Sequence, residues 1–483
     1  MKALLDNLFE EWASEPCRLQ QSIGAHGSNR LYYRLIGEHH RCVAAVNDDV
    51  RENESFVYWA RFFRGKALAV PEVYLFSPDK KCYLQEDLGD TTLYSYLYDR
   101  KRNGQGTDCE VLNLYKRAID DLICFQCSGV DADFSMSYPR AAFDRQSMQW
   151  DLNYFKYYFL KLAHIPFDEQ LLENDFQHLM DYLLDEPWQG FMYRDFQSRN
   201  IMLNEDGKLL YIDFQGGRKG SSQYDVASLI YSAKSDLSDA IRRELLDHYL
   251  DKFAPILEDA GMDVDAFHNR FYGFVLLRIM QAMGAYGYRG YYERKEQFLK
   301  SVPLAIRNLR SVVENHPLPV RLPHLENVWN AIIESPFGLE QREAPVSNRL
   351  TITINSFSYK QGLPSDPSGN GGGHVFDCRA LPNPGRYAEY REYTGRDANV
   401  KAFLNAEPSV DVFLDNAQGI VFQSINKYLE RHFSHLMVSF GCTGGQHRSV
   451  YCAEQMAERI QRAFDTEKCQ IVLHHLEQEK KMK

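Results

Sequence analysis

The sequence has no stretch of 18 or more apolar residues, because its longest candidates are broken by Arg, Asp or Gly. A membrane-spanning helix is therefore not expected. Its opening, MKALLDNLFEEWASEP, carries acidic residues where a secretory leader needs a bare apolar stretch, so a cytoplasmic protein is expected. There is no internal repeat, and only GNGGG is low in complexity. Positive charge falls short: 55 Lys and Arg face 66 Asp and Glu, a net of −11. That balance argues against wholesale electrostatic capture of nucleic acid and leaves room only for a local basic patch. The shortfall is uneven, since residues 349–483 carry 16 Lys and Arg against 15 Asp and Glu, so the whole acidic excess belongs to residues 1–348. The ten cysteines lack metal-site spacing. Cys124 and Cys127 form one CxxC inside the helical-looking AIDDLICFQCSG, with no second pair, whereas a zinc site needs about four ligands. Reduced thiols are the expected state.

What remains is ordinary globular material, 44% apolar and 25% charged. At about 100–200 residues per domain, 483 residues predict two to four domains. Residues 1–88 read as a helix followed by short strands, RLYYRLIG, RCVAAVND, VPEVYLF and KCYLQEDL, with the amphipathic NESFVYWARFFRGKA between them. A small antiparallel sheet with one packed helix is predicted there. Residues 89–336 are mostly helical in period, apart from two short apolar stretches around FMYRDFQSRNIML and KLLYIDFQ. A Pro-rich and polar linker over 337–348 precedes a separate α/β domain at 349–483.

Most of the chemistry lies in MYRDFQSRNIMLNEDGKLLYIDF. Asp195 is followed five residues later by Asn200, and Asp213 arrives at the end of a strand after the hairpin turn NEDGK. Phosphoryl transfer needs a carboxylate near the attacking hydroxyl and oxygen ligands for the Mg²⁺ that bridges nucleotide phosphates. Asp195 fits the first role, and Asn200 with Asp213 the second. Upstream, the GAHGSN turn (Gly24, Gly27, Ser28 and Asn29) would let backbone amides approach phosphate. A second candidate is the strand–glycine turn–helix HLMVSFGCTGGQHRSVYCAEQMAERI. Its turn brings Cys442, Thr443, Gly444, Gly445 and His447 to a helix N-terminus, where amides and the dipole favour an anion. Arg448 and Ser449 add a bidentate cation and a hydroxyl. Cys442 and Arg448 also have the C-x5-R spacing of cysteine phosphatases, in which the thiol pKa is lowered.

On these residues, and on SNRLYYRL, YLQEDLGDTTLYSYL, IDFQ and YDVASLIYSA, residues 1–336 resemble the aminoglycoside phosphotransferase and choline kinase-like small-molecule kinases. Within that group they look most like kinases of the anomeric hydroxyl of N-acetylmuramate and N-acetylglucosamine. The resemblance implies an α+β two-lobed kinase-like fold, with a small antiparallel sheet lobe and a mostly helical lobe, ahead of the α/β domain. It implies ATP and Mg²⁺ as cofactors, Asp195 as catalytic base and Asp225 as a brace for the catalytic loop. Two departures stand out. Tyr193 replaces the usual His, and RCVAAVND lacks the lysine that normally meets the phosphates. Arg30 and Arg34, four apart on one strand and so on one face, are the candidate substitutes. Glu54 would be the helix carboxylate. Acidic and aromatic residues of SMQWDLNYFKYYF would grip and stack on a sugar, unless they are core.

Residues 350–480 resemble the C-terminal domain of the RNase adapter RapZ family, through ITINSFSYKQGLP, VFDCRALPNP, REYTGRD and GCTGGQHRSVY. That resemblance implies a sensor of an amino-sugar phosphate, with Arg379 joining the 442–449 turn at the ligand. It also implies an RNA- or protein-adapter role and a homo-oligomer. The family's GxxxxGK[ST] domain is missing, Gly385 stands where members often have His, and SDPSGNGGGH looks longer than usual. His475 fits the family's C-terminal His. The reading is thus an ATP-dependent amino-sugar kinase fused to a phosphosugar sensor. The rivals are a nucleotide-binding pseudokinase on an adapter module and, third, a phosphatase at Cys442.

Overall fold

A computed structural model describes residues 2–23, 30–104, 109–335, 337, 349–364, 366, 373–431 and 433–479. The chain divides into two compact units, residues 1–293 with 298–339, and residues 340–483 with 294–297. Gly24, Gly27, Ser28 and Asn29 lie outside the described residues, as does most of the SDPSGNGGGH loop.

The first unit opens with α1 (Lys2–Ala13), whose Leu5, Leu8 and Phe9 recur at helical spacing and bury one stripe. That stripe packs on Leu35, Cys42, Ala44, Cys82 and Leu84 from one side of an antiparallel sheet. The sheet consists of β1 (Leu19–Ile23), β2 (Leu31–Ile36), β3 (Arg41–Val46), β4 (Val73–Phe76) and β5 (Cys82–Gln85), in the order β1-β2-β3-β5-β4. Between β3 and β4 runs α2 (Val50–Gly65), which starts where the Asp49 carboxylate accepts the Glu52 N–H at 3.2 Å. It buries Phe56, Trp59, Ala60 and Phe63, and Phe56 stacks on Tyr83 of β5 with centroids 4.7 Å apart. A small antiparallel sheet with a packed helix was expected here, although the polar strand β1 was not.

The helical lobe contains α3 (Leu93–Arg102), α4 (Cys109–Ser128), α5 (Arg145–Phe155) and α6 (Glu169–Leu184). Next come two small two-stranded antiparallel sheets. In one, β6 (Gly190–Met192) pairs with β9 (Arg218–Gly220), and in the other β7 (Ile201–Leu203) pairs with β8 (Leu209–Tyr211). Helices α7 (Gln223–Ile230), α8 (Asp239–Asp259), α9 (Val264–Gly287), α10 (Val302–Asn315) and α11 (Pro323–Ile333) complete the lobe. One apolar core runs through it, and it includes the aromatic rings of Phe125, Phe191, Tyr193 and Phe214 that hold these sheets in place. Both cysteines of the CxxC lie in α4, and all ten cysteines of the chain are free.

The second unit is built on a parallel sheet of β10 (Leu350–Ser358), β11 (Gly373–Asp377), β12 (His435–Cys442) and β13 (Cys469–His475), in the order β11-β12-β10-β13. Its helices are α12 (Ala398–Asn405), α13 (Pro408–Glu430) and α14 (Arg448–Ala463). β10 and β12 are buried almost throughout, as strands with both faces covered must be. Among the described residues, no helix is long and apolar enough to cross a membrane.

Candidate active site and anion cradle

In the first unit, β6 delivers the chain to Tyr193 and Arg194, and the Ser198–Asn200 turn then leads into β7. The Asp225 carboxylate, in the first turn of α7, accepts the N–H of Tyr193 at 2.6 Å and of Arg194 at 2.8 Å. Asp225 thus braces the loop from inside the lobe and is not the helix cap, a place taken by Ser222. Burial drives its pKa up to about 7, against the pull of those two N–H donors. Arg194 sits at φ +82° and Asp213 at φ +69°, both in the left-handed region that a side chain disfavours. Arg194 is held there by a bidentate pair with Asp151 of α5, at 2.6 and 2.7 Å.

Asp195 is placed by this bracing, with its side chain 41% exposed. Burial acts to raise its pKa, but Arg278 of α9, 3.2 Å away, followed by Arg199, Arg194 and Arg218, holds the carboxyl below its usual range. Asn200 donates to the Asp195 carbonyl at 2.9 Å and to Asp213 at 3.3 Å, so all three residues meet at one point. Gln215 fixes the other Asp213 oxygen at 2.7 Å. The Asn200 amide oxygen and the Asp213 carboxylate are hard oxygen donors side by side, a set that fits Mg²⁺.

The two arginines singled out where β3 lacks a lysine differ in their partners. Arg30, directly ahead of β2 and 2% exposed, lies with Nη2 2.8 Å from Glu52 of α2 and donates Nη1 to the Tyr32 hydroxyl at 3.0 Å. Burial pushes the Tyr32 hydroxyl's pKa up, against the pull of Arg30, and the negative charge of Asp213 adds to that rise. Arg34 is committed elsewhere, to Asp87 at 2.7 Å and Asp90 at 2.8 Å. The α2 carboxylate that meets Arg30 is Glu52, whereas Glu54 pairs with Lys80.

In the second unit, β12 ends at Cys442 and α14 begins at Arg448. The Cys442 sulfur receives the Gly445 N–H at 3.2 Å and lies 3.1 Å from the Ser449 hydroxyl. Burial acts to raise the thiol pKa, yet Ser449 and the amides of Ser449, Gly445 and Gly444 bring it below its ordinary value. Gly445 can turn these amides inward because its φ is +66°. The Ser358 hydroxyl donates to the Thr443 carbonyl at 2.7 Å. Gln446 and His447 stitch the turn to the carbonyls of Arg391, Tyr393 and Tyr390, and Arg448 Nη1 donates to those of Arg379 and Leu381 at 2.7 and 3.1 Å. The Arg379 side chain pairs with Asp377 and lies over the Tyr359 ring at 4.3 Å. His475 is buried between Ser356 and Glu454.

A family model described as the phosphotransferase enzyme family matches residues 20–261, half of the chain. The chain belongs to the phosphotransferase enzyme family. A second model, described as the RapZ C-terminal domain, matches residues 350–479. The protein therefore joins a phosphotransferase-family domain to a RapZ C-terminal-type domain. A curated "Nucleotide-binding protein" of Dinoroseobacter shibae is 44% identical over 131 residues, 27% of this chain and 41% of its own length. Another, of Laribacter hongkongensis, is 39% identical over 134 residues, 28% of this chain and 45% of its own. The chain thus spans less than half the length of these curated relatives. Among solved structures, choline kinase LicA from Streptococcus pneumoniae aligns at 14% identity and a TM-score of 0.43, covering 64% of this chain and 99% of that one.

Several residues of the phosphotransferase domain's site were not legible in the sequence. Asp151 lies in the stretch read as a sugar grip, but its carboxylate is spent on Arg194. Arg278 reaches Asp195 from 83 residues away, and no local pattern marks it. Tyr32, Glu52 and Arg218 were likewise unmarked.

Proposed function

We propose that the first unit transfers the γ-phosphoryl group of ATP to a hydroxyl of an amino sugar, and that the second binds an amino-sugar phosphate. The observation carrying this reading is the meeting of Asp195 and Asn200, on the braced loop, with Asp213 beyond β8, through the two hydrogen bonds that Asn200 donates. Asp195, kept ionised by Arg278, orients the attacking hydroxyl and takes its proton as the bond to phosphorus forms. Asn200 and Asp213 would hold Mg²⁺, which would supply positive charge against the charge of the nucleotide phosphates. Arg30, positioned by Glu52, supplies the cation that a β3 lysine would otherwise give.

In the second unit, the inward amides of the 442–449 turn and the helix dipole of α14 favour a phosphate. The low thiol pKa of Cys442 follows from those same donors, so it supports anion binding without requiring hydrolysis. The experiment is ADP release by the full chain with ATP, Mg²⁺ and a panel of N-acetyl amino sugars. Asp195→Asn should cut turnover by about 10²–10⁴-fold. If no sugar raises ADP above background in the wild-type chain, the kinase reading fails, and nucleotide binding without turnover would favour the pseudokinase.

A further inference from the structure

The thiol at the foot of the 442–449 turn has a second thiol beside it. β11 and β12 run parallel, with Phe376 opposite Phe440 and Asp377 opposite Gly441. The Phe376 and Phe440 rings stack across the two strands with centroids 5.3 Å apart, so both point to one face of the sheet. Side chains two residues further on share that face. On β12 that residue is Cys442, the last of the strand, and on the neighbouring chain segment it is Cys378, directly after β11. Carrying the register on by one residue sets the two cysteines opposite each other. Neighbouring strands lie about 4.8 Å apart, inside the span of about 4.4–6.8 Å between Cα atoms over which a disulfide closes. Both side chains are buried in the same apolar core, which confirms the shared face. The turn carrying Cys378 is tied to the same place, because Arg448 donates to the carbonyls of Arg379 and Leu381.

The two thiols differ in chemistry. Cys442 receives the Gly445 N–H at 3.2 Å and lies 3.1 Å from the Ser449 hydroxyl, donors that offset its burial and favour the thiolate, the form that attacks a peroxide. Cys378 has only the Phe376 carbonyl, 3.9 Å from its sulfur, and burial raises its pKa well above the ordinary value. Burial likewise pushes Cys42 and Cys82 up to about 12. Small oxidants have a way in. Cys442 is 3% exposed, but Thr443 and Gly444 after it are exposed, and a β-carbon on Gly444 would meet nothing within 4 Å. We propose that Cys442 and Cys378 form a peroxide-reactive pair that closes to a disulfide beside the 442–449 turn. The Cys442 thiolate attacks one oxygen of a hydroperoxide, so that an S–O bond forms as the O–O bond breaks, and the departing alkoxide takes a proton from water and leaves as an alcohol (as water, for hydrogen peroxide). The Cys378 sulfur then attacks the sulfenic sulfur of Cys442. An S–S bond forms as the S–O bond breaks, and the hydroxide released takes the Cys378 proton and leaves as water. Two thiols are oxidised and one peroxide is reduced. Neither step depends on the kinase reading or on a phosphosugar in the turn.

The test treats the folded full chain with hydrogen peroxide, blocks the remaining thiols with iodoacetamide, and maps the digest by mass spectrometry without reductant. Peptides joined through Cys378 and Cys442 should be the main cross-link, and dithiothreitol should release them. Cys442 should be consumed about tenfold faster than the exposed Cys109 in the same sample. Cys442→Ser should abolish the cross-link and leave Cys378 unmodified. Cys378→Ala should leave Cys442 as a sulfenic acid that dimedone traps. The wild-type map needs no substitution, so it decides the matter even where a variant fails to fold. The proposal is overturned if Cys109 is oxidised while no link between Cys378 and Cys442 forms, or if Cys442 reacts no faster than Cys109. It is overturned as well if either cysteine links instead to Cys452, which α14 brings to the same core.

Discussion

Arg30→Met asks whether a guanidinium ahead of β2 replaces the absent β3 lysine. In a fully buried ion pair, loss of one partner costs about 3–5 kcal/mol. Here the Glu52 side chain is 25% exposed and keeps a hydrogen bond from Asn47 at 2.7 Å, which lowers the cost to about 2–3 kcal/mol. Spread over the unfolding entropy of a unit of roughly 330 residues, that is a fall of about 3–4 °C in Tm. The effect on turnover should be larger. Losing a charge-assisted contact to the phosphates, worth about 1.5–3 kcal/mol, lowers kcat/KM for ATP about 10–100-fold. Arg34→Met is the matched control. It leaves Asp87, whose side chain is 2% exposed, with only the more distant Arg41 at 3.8 Å as a cation, and so should destabilise the lobe. Because its guanidinium is spent on Asp87 and Asp90, KM for ATP should stay within about twofold of wild type. Steady-state ADP release with ATP varied at saturating acceptor, alongside thermal melts, measures both variants. The reasoning is refuted if Arg34→Met loses ATP use while Arg30→Met keeps it.

Two further outcomes follow from the bracing of the two loops. Asp225 has a folded pKa of about 7 against an ordinary 3.8, so it binds its proton more tightly when folded. The stability it lends is full below about pH 4 and is lost as pH rises to about 7, a span on the order of 4 kcal/mol. Asp225→Asn, which cannot titrate, should give a flatter profile of Tm against pH over that window, and a profile parallel to wild type would count against the assignment. In the second unit, a β-carbon on Gly395 would lie 2.2 Å from the His447 carbonyl and 2.5 Å from the Tyr451 nitrogen, both backbone atoms. Gly395→Ala should cost about 1–3 kcal/mol in denaturant unfolding and weaken calorimetric binding of glucosamine 6-phosphate; wild-type values in both would show that the turn gives way freely.

Legibility in the sequence followed sequence distance. Asp195 and Asn200 are five apart, and Asp213 follows one hairpin later, so ordinary turn chemistry places all three together. The 442–449 turn is equally local, lying between a buried strand and a helix. The partners of these residues are not local. Asp151 meets Arg194 across 43 positions and Arg278 meets Asp195 across 83, and neither pairing leaves a mark in spacing or composition. That Arg30 meets Glu52, two residues before the Glu54 singled out in the sequence, has a simple reason. Asp49 caps α2 and so sets its phase, and two residues on a helix differ by about 200° in direction. Glu52 therefore faces Arg30, and Glu54 reaches Lys80. β1, with its largely exposed LQQSI, offered no apolar alternation to read.

The Asp225 brace also sets what can be cut away or moved. Two amides at the head of the phosphotransfer loop share one acceptor, and it belongs to a residue 31 and 32 positions further on. Grafting residues 190–213 onto another scaffold would carry Asp195, Asn200 and Asp213 but leave those two amides bare, and the left-handed backbone at Arg194 would have nothing to hold it. The smallest portable piece therefore extends through α7, a helix buried along its whole length.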